Sequence, residues 1–134
     1  MKIERFEDIK AWQEARVLVG TIHAAVGSDR RFTSDHGLRG QIQAAAISIM
    51  SNMADGFSRR TTKEFVQFLF VAKGSVAEVQ SQLYVALDQG YINEEKFDGL
   101  YSKSDEVARL ISGFIRYLLN KDKPHALKQP NKLQ

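Results

Sequence analysis

The 134-residue chain has no cysteine, and its two prolines, Pro124 and Pro130, both fall within the last eleven residues. Without thiols there is neither a disulfide frame nor a thiolate metal site. Without proline through the first 123 residues, long helices meet no obstruction, because proline removes a backbone donor and clashes with the preceding turn. No stretch reaches the ~18 apolar residues that mark a membrane span. The opening "MKIERFEDIKAW" is charged throughout, unlike the apolar core of a secretory signal. These absences predict a cytoplasmic protein with no membrane partner.

What is present is ordinary in amount and uneven in placement. Hydrophobic residues make up 43% and charged residues 26%, a globular composition with enough apolar content for one domain-sized core. The net charge is +3. From Arg116 onward, five basic residues (Arg116, Lys121, Lys123, Lys128 and Lys132) stand against Asp122, so residues 1–115 sum to −1. The basic character belongs to the C-terminal end.

Four segments carry helical periodicity. The first runs from about Asp8 to Val26, with Trp12, Ala15, Val19, Ile22 and Val26 at three- and four-residue steps. "GSDRRFTSD" reads as a turn cluster. Ser34 or Asp35 then caps a second segment that ends at "DGFS", where Gly56 is the expected left-handed terminator. Thr61 with Glu64 has the capping-box spacing and opens a third segment, Phe65 through Leu83 to Gly90. Asn93 caps the fourth, which carries Leu100, Val107, Ile111, Phe114 and Leu118 and ends near Asn120. Four helices of roughly 18–29 residues with short connections predict an all-α, antiparallel up-down-up-down four-helix bundle over 1–119. The polar, basic, proline-punctuated remainder, 120–134, is expected to be a disordered tail.

Two helices carry more apolar surface than one core requires. On the second, Leu38, Ile42, Ala45, Ile49 and Met53 share one face, and Ala44, Ile47, Ser51 and Ala54 cluster opposite. On the third, Phe65, Leu69, Val76 and Leu83 face one way, and Val66, Phe70, Ala77 and Tyr84 form a second stripe. A soluble monomer avoids large exposed apolar patches. Self-association through Ala44, Ile47, Ala54, Val66, Phe70, Ala77 and Tyr84 is therefore expected; the alternative is a wide core face with scattered surface apolar residues.

No enzyme constellation survives inspection. A di-iron bundle needs Glu-x-x-His on two helices, but the residues three before His23, His36 and His125 are Gly20, Thr33 and Asp122. Glu14, Glu64 and Glu78 lie off the apolar stripes. There is no phosphate loop, dinucleotide fingerprint or nucleophile elbow. In "AKGS", Lys73 and Ser75 fall in mid-helix, and close helix packing at Gly74 is the expected reason for the glycine. In "NMADGFSRR", Asn52 reads as a buried amide that satisfies backbone groups, since no nucleophile or base accompanies it. Asp55 at a helix C-terminus is unfavourable to the macrodipole, and pairing with Arg59 or Arg60 is expected. No catalytic residue, cofactor or metal is assigned.

The bundle topology gathers Lys2, Arg5, Arg59, Arg60, Lys63 and the tail at one end. In a cyclic oligomer such ends would form a basic ring suited to a polyanion. The expected nucleic-acid-binding residues are Arg59, Arg60, Lys63, Lys121, Lys123, Lys128 and Lys132. The tail has no aromatic residues for base stacking, so the contacts would be to phosphates.

"GLRGQIQAAAISIMSNMADG", with Gly37, Leu38, Gln41, Ser48, Asn52, Ala54 and Gly56 in register, resembles the bacterial four-helix proteins encoded by 23S rRNA intervening sequences. "FEDIKAW" and "KEFVQFLFVAKGSVAEVQSQLYVALDQGYI" resemble the same family, and the likeness spans residues 6–119. The resemblance implies a barrel-shaped homopentamer. It also implies a basic surface for RNA or DNA, as in the accessory protein of diversity-generating retroelements, which binds nucleic acid and a reverse transcriptase. Where the family commonly carries arginine after the glutamine of the second helix, this chain has Gln43 and Ala44, and that basic contribution is missing. The rival reading is a scaffold that recruits a protein partner through its apolar helix faces.

Overall fold

The computed structural model describes residues 2–121. One 3-10 turn (Phe6–Asp8) precedes α1 (Lys10–Gly27), α2 (Arg30–Ser34), α3 (His36–Phe57), α4 (Thr62–Asp88) and α5 (Glu94–Lys121). The described residues are all-helical in their regular structure. The expected tail, with Lys123, Lys128 and Lys132, lies outside the described residues, and α5 itself continues through Lys121.

The four long helices sit at the corners of a square in which α1 and α4 are diagonal. Contacts across the α3–α4 and α4–α5 seams run antiparallel. Ser48 meets Ser75 at 2.9 Å, while Gly56, further along α3, meets Phe65 and Phe68, earlier in α4. Gln80 reaches Ser104 at 3.0 Å, and Phe65 meets Phe114 at a ring separation of 5.5 Å. The buried stripes follow the 3.6-residue period: Leu38, Ile42, Ala45, Ile49 and Met53 on α3, and Leu100, Val107, Ile111, Phe114 and Leu118 on α5.

Capping residues start the helices where short polar side chains precede apolar runs. Asp35 Oδ1 accepts from Leu38 N at 3.1 Å, Thr61 Oγ1 from Glu64 N at 3.1 Å, and Asn93 Oδ1 from Lys96 N at 2.8 Å. Each satisfies an amide the helix leaves unpaired.

The "GSDRRFTSD" segment differs from the expected turn. Asp29 accepts from Arg31 N and Phe32 N, which nucleates α2, and Phe32 is buried. Five residues are too few for periodicity to declare a helix. α2 locks the α4–α5 connection: Phe32 stacks on Tyr91 at 5.3 Å, and Arg31 Nη2 donates to Gly90 O at 2.6 Å. The Tyr91 hydroxyl donates to Asp35 Oδ2 at 2.9 Å. Gly90, with φ 75°, takes the left-handed conformation that a side chain disfavours.

Two glycines depart from the roles expected of them. Gly56 does not terminate α3, which runs on to Phe57 and a right-handed Ser58. It allows close approach instead, since a Cβ there would lie 2.8 Å from both Phe65 Cδ1 and Phe68 Cβ. Gly74 faces open space, and a Cβ would meet nothing within 4 Å. Val66 is corrected as well: at 8% exposure it belongs to this subunit's own core and cannot serve an intersubunit face.

The α1–α5 seam carries an ion cluster. Glu14 accepts from Lys103 and pairs with Lys10 at 2.9 Å, and Lys103 also reaches Glu106 at 3.3 Å. Lys103, then Lys10, holds the Glu14 carboxyl below its ordinary range. Asp35 is lowered by the Leu38 amide and then by Tyr91, and Asp29 by the Phe32 amide and then by Arg31.

Gly56→Ala is expected to cost about 1–3 kcal/mol through overpacking, read as a lower urea midpoint. Gly99→Ala on α5, where a Cβ meets nothing within 4 Å, should instead gain about 0.5–1 kcal/mol. Because Glu14, Asp29 and Asp35 have lowered folded-state pKa values, their stabilisation is complete above the unfolded carboxylate range near ~4. It is lost as pH falls through the folded values. Urea midpoints should therefore decline below about pH 4, and Asp35→Asn, which keeps a capping oxygen, should show a shallower decline.

Candidate nucleic-acid interface

One end of the bundle is assembled from three separate parts of the chain: the N-terminal segment, the α3–α4 connection and the end of α5. Asp8 folds the first of these back by accepting from Glu4 N at 3.0 Å and Arg5 N at 3.1 Å. Phe6 packs edge-on against Trp12 at 5.2 Å. A depression of about 320 Å³ opens where the parts meet, with Lys2, Ile3, Phe57, Thr62, Tyr117 and Lys121 among its lining residues. Lys2 and Lys121, 119 positions apart in sequence, therefore frame one surface.

The cations at this end are unequal. Lys2 pairs with Glu4 at 3.3 Å and Arg5 with Glu7 at 3.0 Å, each a solvent-exposed pair with a neighbouring carboxylate. Arg59, Arg60, Lys63 and Lys121 are exposed and have no ion pair among the described residues. The expected pairing of Asp55 with Arg59 or Arg60 is not formed. The Arg59 guanidinium lies 4.5 Å from the Phe68 ring centroid instead, a cation–π contact on a residue that stays exposed. Periodicity gave no sign of this contact, since it joins a turn residue to the second turn of the next helix. Lys121 lies 6.0 Å from the Tyr117 ring.

Backbone dipoles do not create this polarity. In an antiparallel bundle each end collects two helix N-termini and two C-termini, whose partial charges offset. The side chains decide it. At the opposite end, Arg31 is engaged by Asp29 and Gly90, and Arg39 donates to Thr33 O at 2.8 Å. Around them stand Asp88, Glu94, Glu95 and Asp98 in exposed positions.

The Asn52 amide forms a structural contact. Its Nδ2 donates to Ser48 O at 2.8 Å and Ser48 Oγ at 3.0 Å, and Ser48 in turn meets the buried Ser75 hydroxyl. The Asn52 bonds stay within α3, and the Ser48–Ser75 pair crosses the α3–α4 seam, giving the buried Ser75 hydroxyl the partner it needs. Gln80 bridges to Ser104 and Asp105 in the same way across the α4–α5 seam. Among the described residues, no three His, Asp or Glu side chains are placed to hold a metal ion. No helix there is long and apolar enough to cross a membrane.

The surplus stripes remain uncovered. Ala44 and Ile47 on α3 and Phe70, Ala77 and Tyr84 on α4 are exposed, and Ala54 is partly buried. Val71 and Val85 on α4 are exposed too, which widens the stripe beyond the residues expected. Val17, on the diagonal helix α1, is an exposed apolar residue that periodicity did not single out. Counting outward-facing apolar residues on α1 would have found it.

A protein of unknown function from the S23 ribosomal protein family of Bacteroides thetaiotaomicron has a similar fold, with a TM-score of 0.66 at 20% identity. The match covers 80% of this chain and 95% of that one. No curated protein matches the sequence. Residues 7–113 match the model of the family described as 23S rRNA-intervening sequence protein. With most of the bundle inside that match, the chain belongs to the 23S rRNA-intervening sequence protein family.

Proposed function

We propose that this chain is a non-enzymatic, cytoplasmic homo-oligomer, a pentamer by its resemblance, that binds structured RNA or other nucleic acid through phosphate contacts at its basic end. The observation that carries this reading is the set of Arg59, Arg60, Lys63 and Lys121, exposed at one end without carboxylate partners among the described residues. A cation already paired must first give up its carboxylate, a small cost for an exposed pair. A cation without a partner releases the phosphate's counterions at no internal loss. Lys123, Lys128 and Lys132 follow directly in sequence and would add to the same field. The family description, which ties its members to 23S rRNA intervening sequences, agrees with an RNA context.

A protein-recruiting scaffold is the second reading, favoured by the exposed Phe70, Val71, Tyr84 and Val85 on α4. The two readings differ in salt dependence, because apolar docking gains nothing from counterion release.

Fluorescence anisotropy with a labelled structured RNA at about 50 and 200 mM salt tests the proposal. The affinity of the full chain should fall by orders of magnitude between those points. Arg59→Ala, Arg60→Ala and Lys63→Ala combined should flatten the log–log salt slope by about two to three, one contact per residue. Truncation after Lys121 should flatten it further. Salt-independent binding, or none at low salt, would remove the nucleic-acid reading and leave the scaffold.

A further inference from the structure

The C-terminal tail holds no aromatic residue, but the body of the bundle supplies four at its basic end. Phe57, Phe65, Phe114 and Tyr117 line the depression of about 320 Å³ there, together with Lys2, Thr62 and Lys121. Three of the rings pack on one another. Phe65 meets Phe57 edge-on at 6.0 Å and Phe114 at 5.5 Å, and Phe114 is buried. Tyr117 differs from them. Its ring lies 12° from parallel to that of Phe114, yet the residue is 40% exposed. The Lys121 ammonium stands 6.0 Å from the Tyr117 centroid, at the outer limit of a cation–π contact, so little holds the lysine in place.

We propose that this depression takes one unpaired nucleotide of an RNA, its base stacking on Tyr117 and its flanking phosphates meeting Lys2 and Lys121. The proposal rests on the nucleic-acid reading above and adds to it a contact with a base.

Stacking needs an aromatic face open to solvent, and holding the attached phosphates needs cations within reach of that face. Tyr117 and Lys121 stand about one turn apart on α5, and both line the depression. Its volume lies at the small end of ligand sites, which begin near ~300 Å³, so it admits a single nucleotide and excludes a duplex. Arg59 and Arg60 fall between Phe57 and Thr62 in sequence, and Lys63 follows Thr62 directly. The exposed cations of the α3–α4 connection therefore border the same rim and serve the neighbouring phosphates. Every base has a π face, so the selectivity expected is for unpaired over paired nucleotides and not for one base over another.

The two depressions along the α1–α5 seam do not combine these features. The one of about 580 Å³ is lined by no aromatic ring, and Glu95 on its wall repels a phosphate. The one of about 250 Å³ shares Tyr117, but its cations Lys10 and Arg109 are paired with Glu14 and Asp105.

Fluorescence anisotropy at about 50 mM salt tests the site by comparing a labelled RNA hairpin that ends in one unpaired nucleotide with the same hairpin made blunt. The full chain should hold the first about tenfold more tightly. Tyr117→Ala should remove that gain and Tyr117→Phe should keep it, with affinity for the blunt hairpin unchanged. Thr62→Leu, which fills the depression and removes no ring, should remove the gain too. Equal binding of the two hairpins, or a gain that survives either Tyr117→Ala or Thr62→Leu, overturns the nucleotide site while the basic-end reading stands. A gain that emerges only on truncation after Lys121 assigns the depression to the tail and overturns the proposal for the full chain. A nucleoside monophosphate that binds more tightly than either hairpin overturns RNA as the occupant. No binding of either hairpin overturns both this site and the nucleic-acid reading.

Discussion

A helix at the corner of a four-helix square touches two neighbours and turns only one stripe toward the centre. That constraint governs the rest of this structure. α5 obeys it over most of its length: Leu100, Val107, Ile111, Phe114 and Leu118 face inward, Asp98, Ser102, Arg109 and Arg116 face out, and only near its end are Tyr117 and Leu119 exposed. α4 does not. Its inner stripe of Leu69, Val76, Val79 and Leu83 is buried, yet Phe70, Val71, Tyr84 and Val85 remain at the surface. No sliding or rotation within the square hides both stripes, because turning one inward exposes the other. The surplus surface is thus a property of the fold and invites contact with another molecule.

Within the square, apolar packing drives association without direction, and sparse polar contacts fix which residue meets which. Ser48 with Ser75 and Asn52, Gln80 with Ser104 and Asp105, and Glu14 with Lys103 each stand at a different seam. A typical hydrogen bond contributes only ~1 kcal/mol net. Sliding one helix by a turn would leave several of these groups buried without partners, which is the larger penalty. Gly56 adds a steric stop to the same register by admitting the Phe65 and Phe68 side chains where no Cβ would fit.

The electrical asymmetry of the subunit has a simple origin. Offsetting helix dipoles leave the ends to their side chains. At one end Glu4 and Glu7 pair with Lys2 and Arg5, while Arg59, Arg60, Lys63 and Lys121 stay without such partners among the described residues. At the other, folding employs two of the arginines, Arg31 to hold the α4–α5 turn and Arg39 the end of α2, while Arg30 stays exposed. Equal numbers of cations would leave the ends unequal in what they offer an anion.

The long helices and most of their buried faces were legible in the sequence, since apolar spacing and capping residues act over one or two turns and leave a local trace. The gathering of Arg59, Arg60 and Lys63 with Lys2 at one end was legible too, because short connections force antiparallel neighbours. Other features depended on partners distant in the chain. α2 was missed because five residues carry no period and Phe32 finds its place only against Tyr91. Gly56 and Gly74 were assigned by local rules, while the approach of Phe65 and Phe68 decided the one and open space the other. Asp55 pairs with neither Arg59 nor Arg60, and the Arg59 guanidinium lies instead over the ring of Phe68, which local spacing did not point to. The sequence by itself determined the helices, their caps and their inward stripes, because those follow from neighbours within a turn. The tertiary structure alone decided which glycine admits a close approach, which arginines form ion pairs and which apolar residues stay outside, because each depends on a surface brought up from elsewhere in the chain.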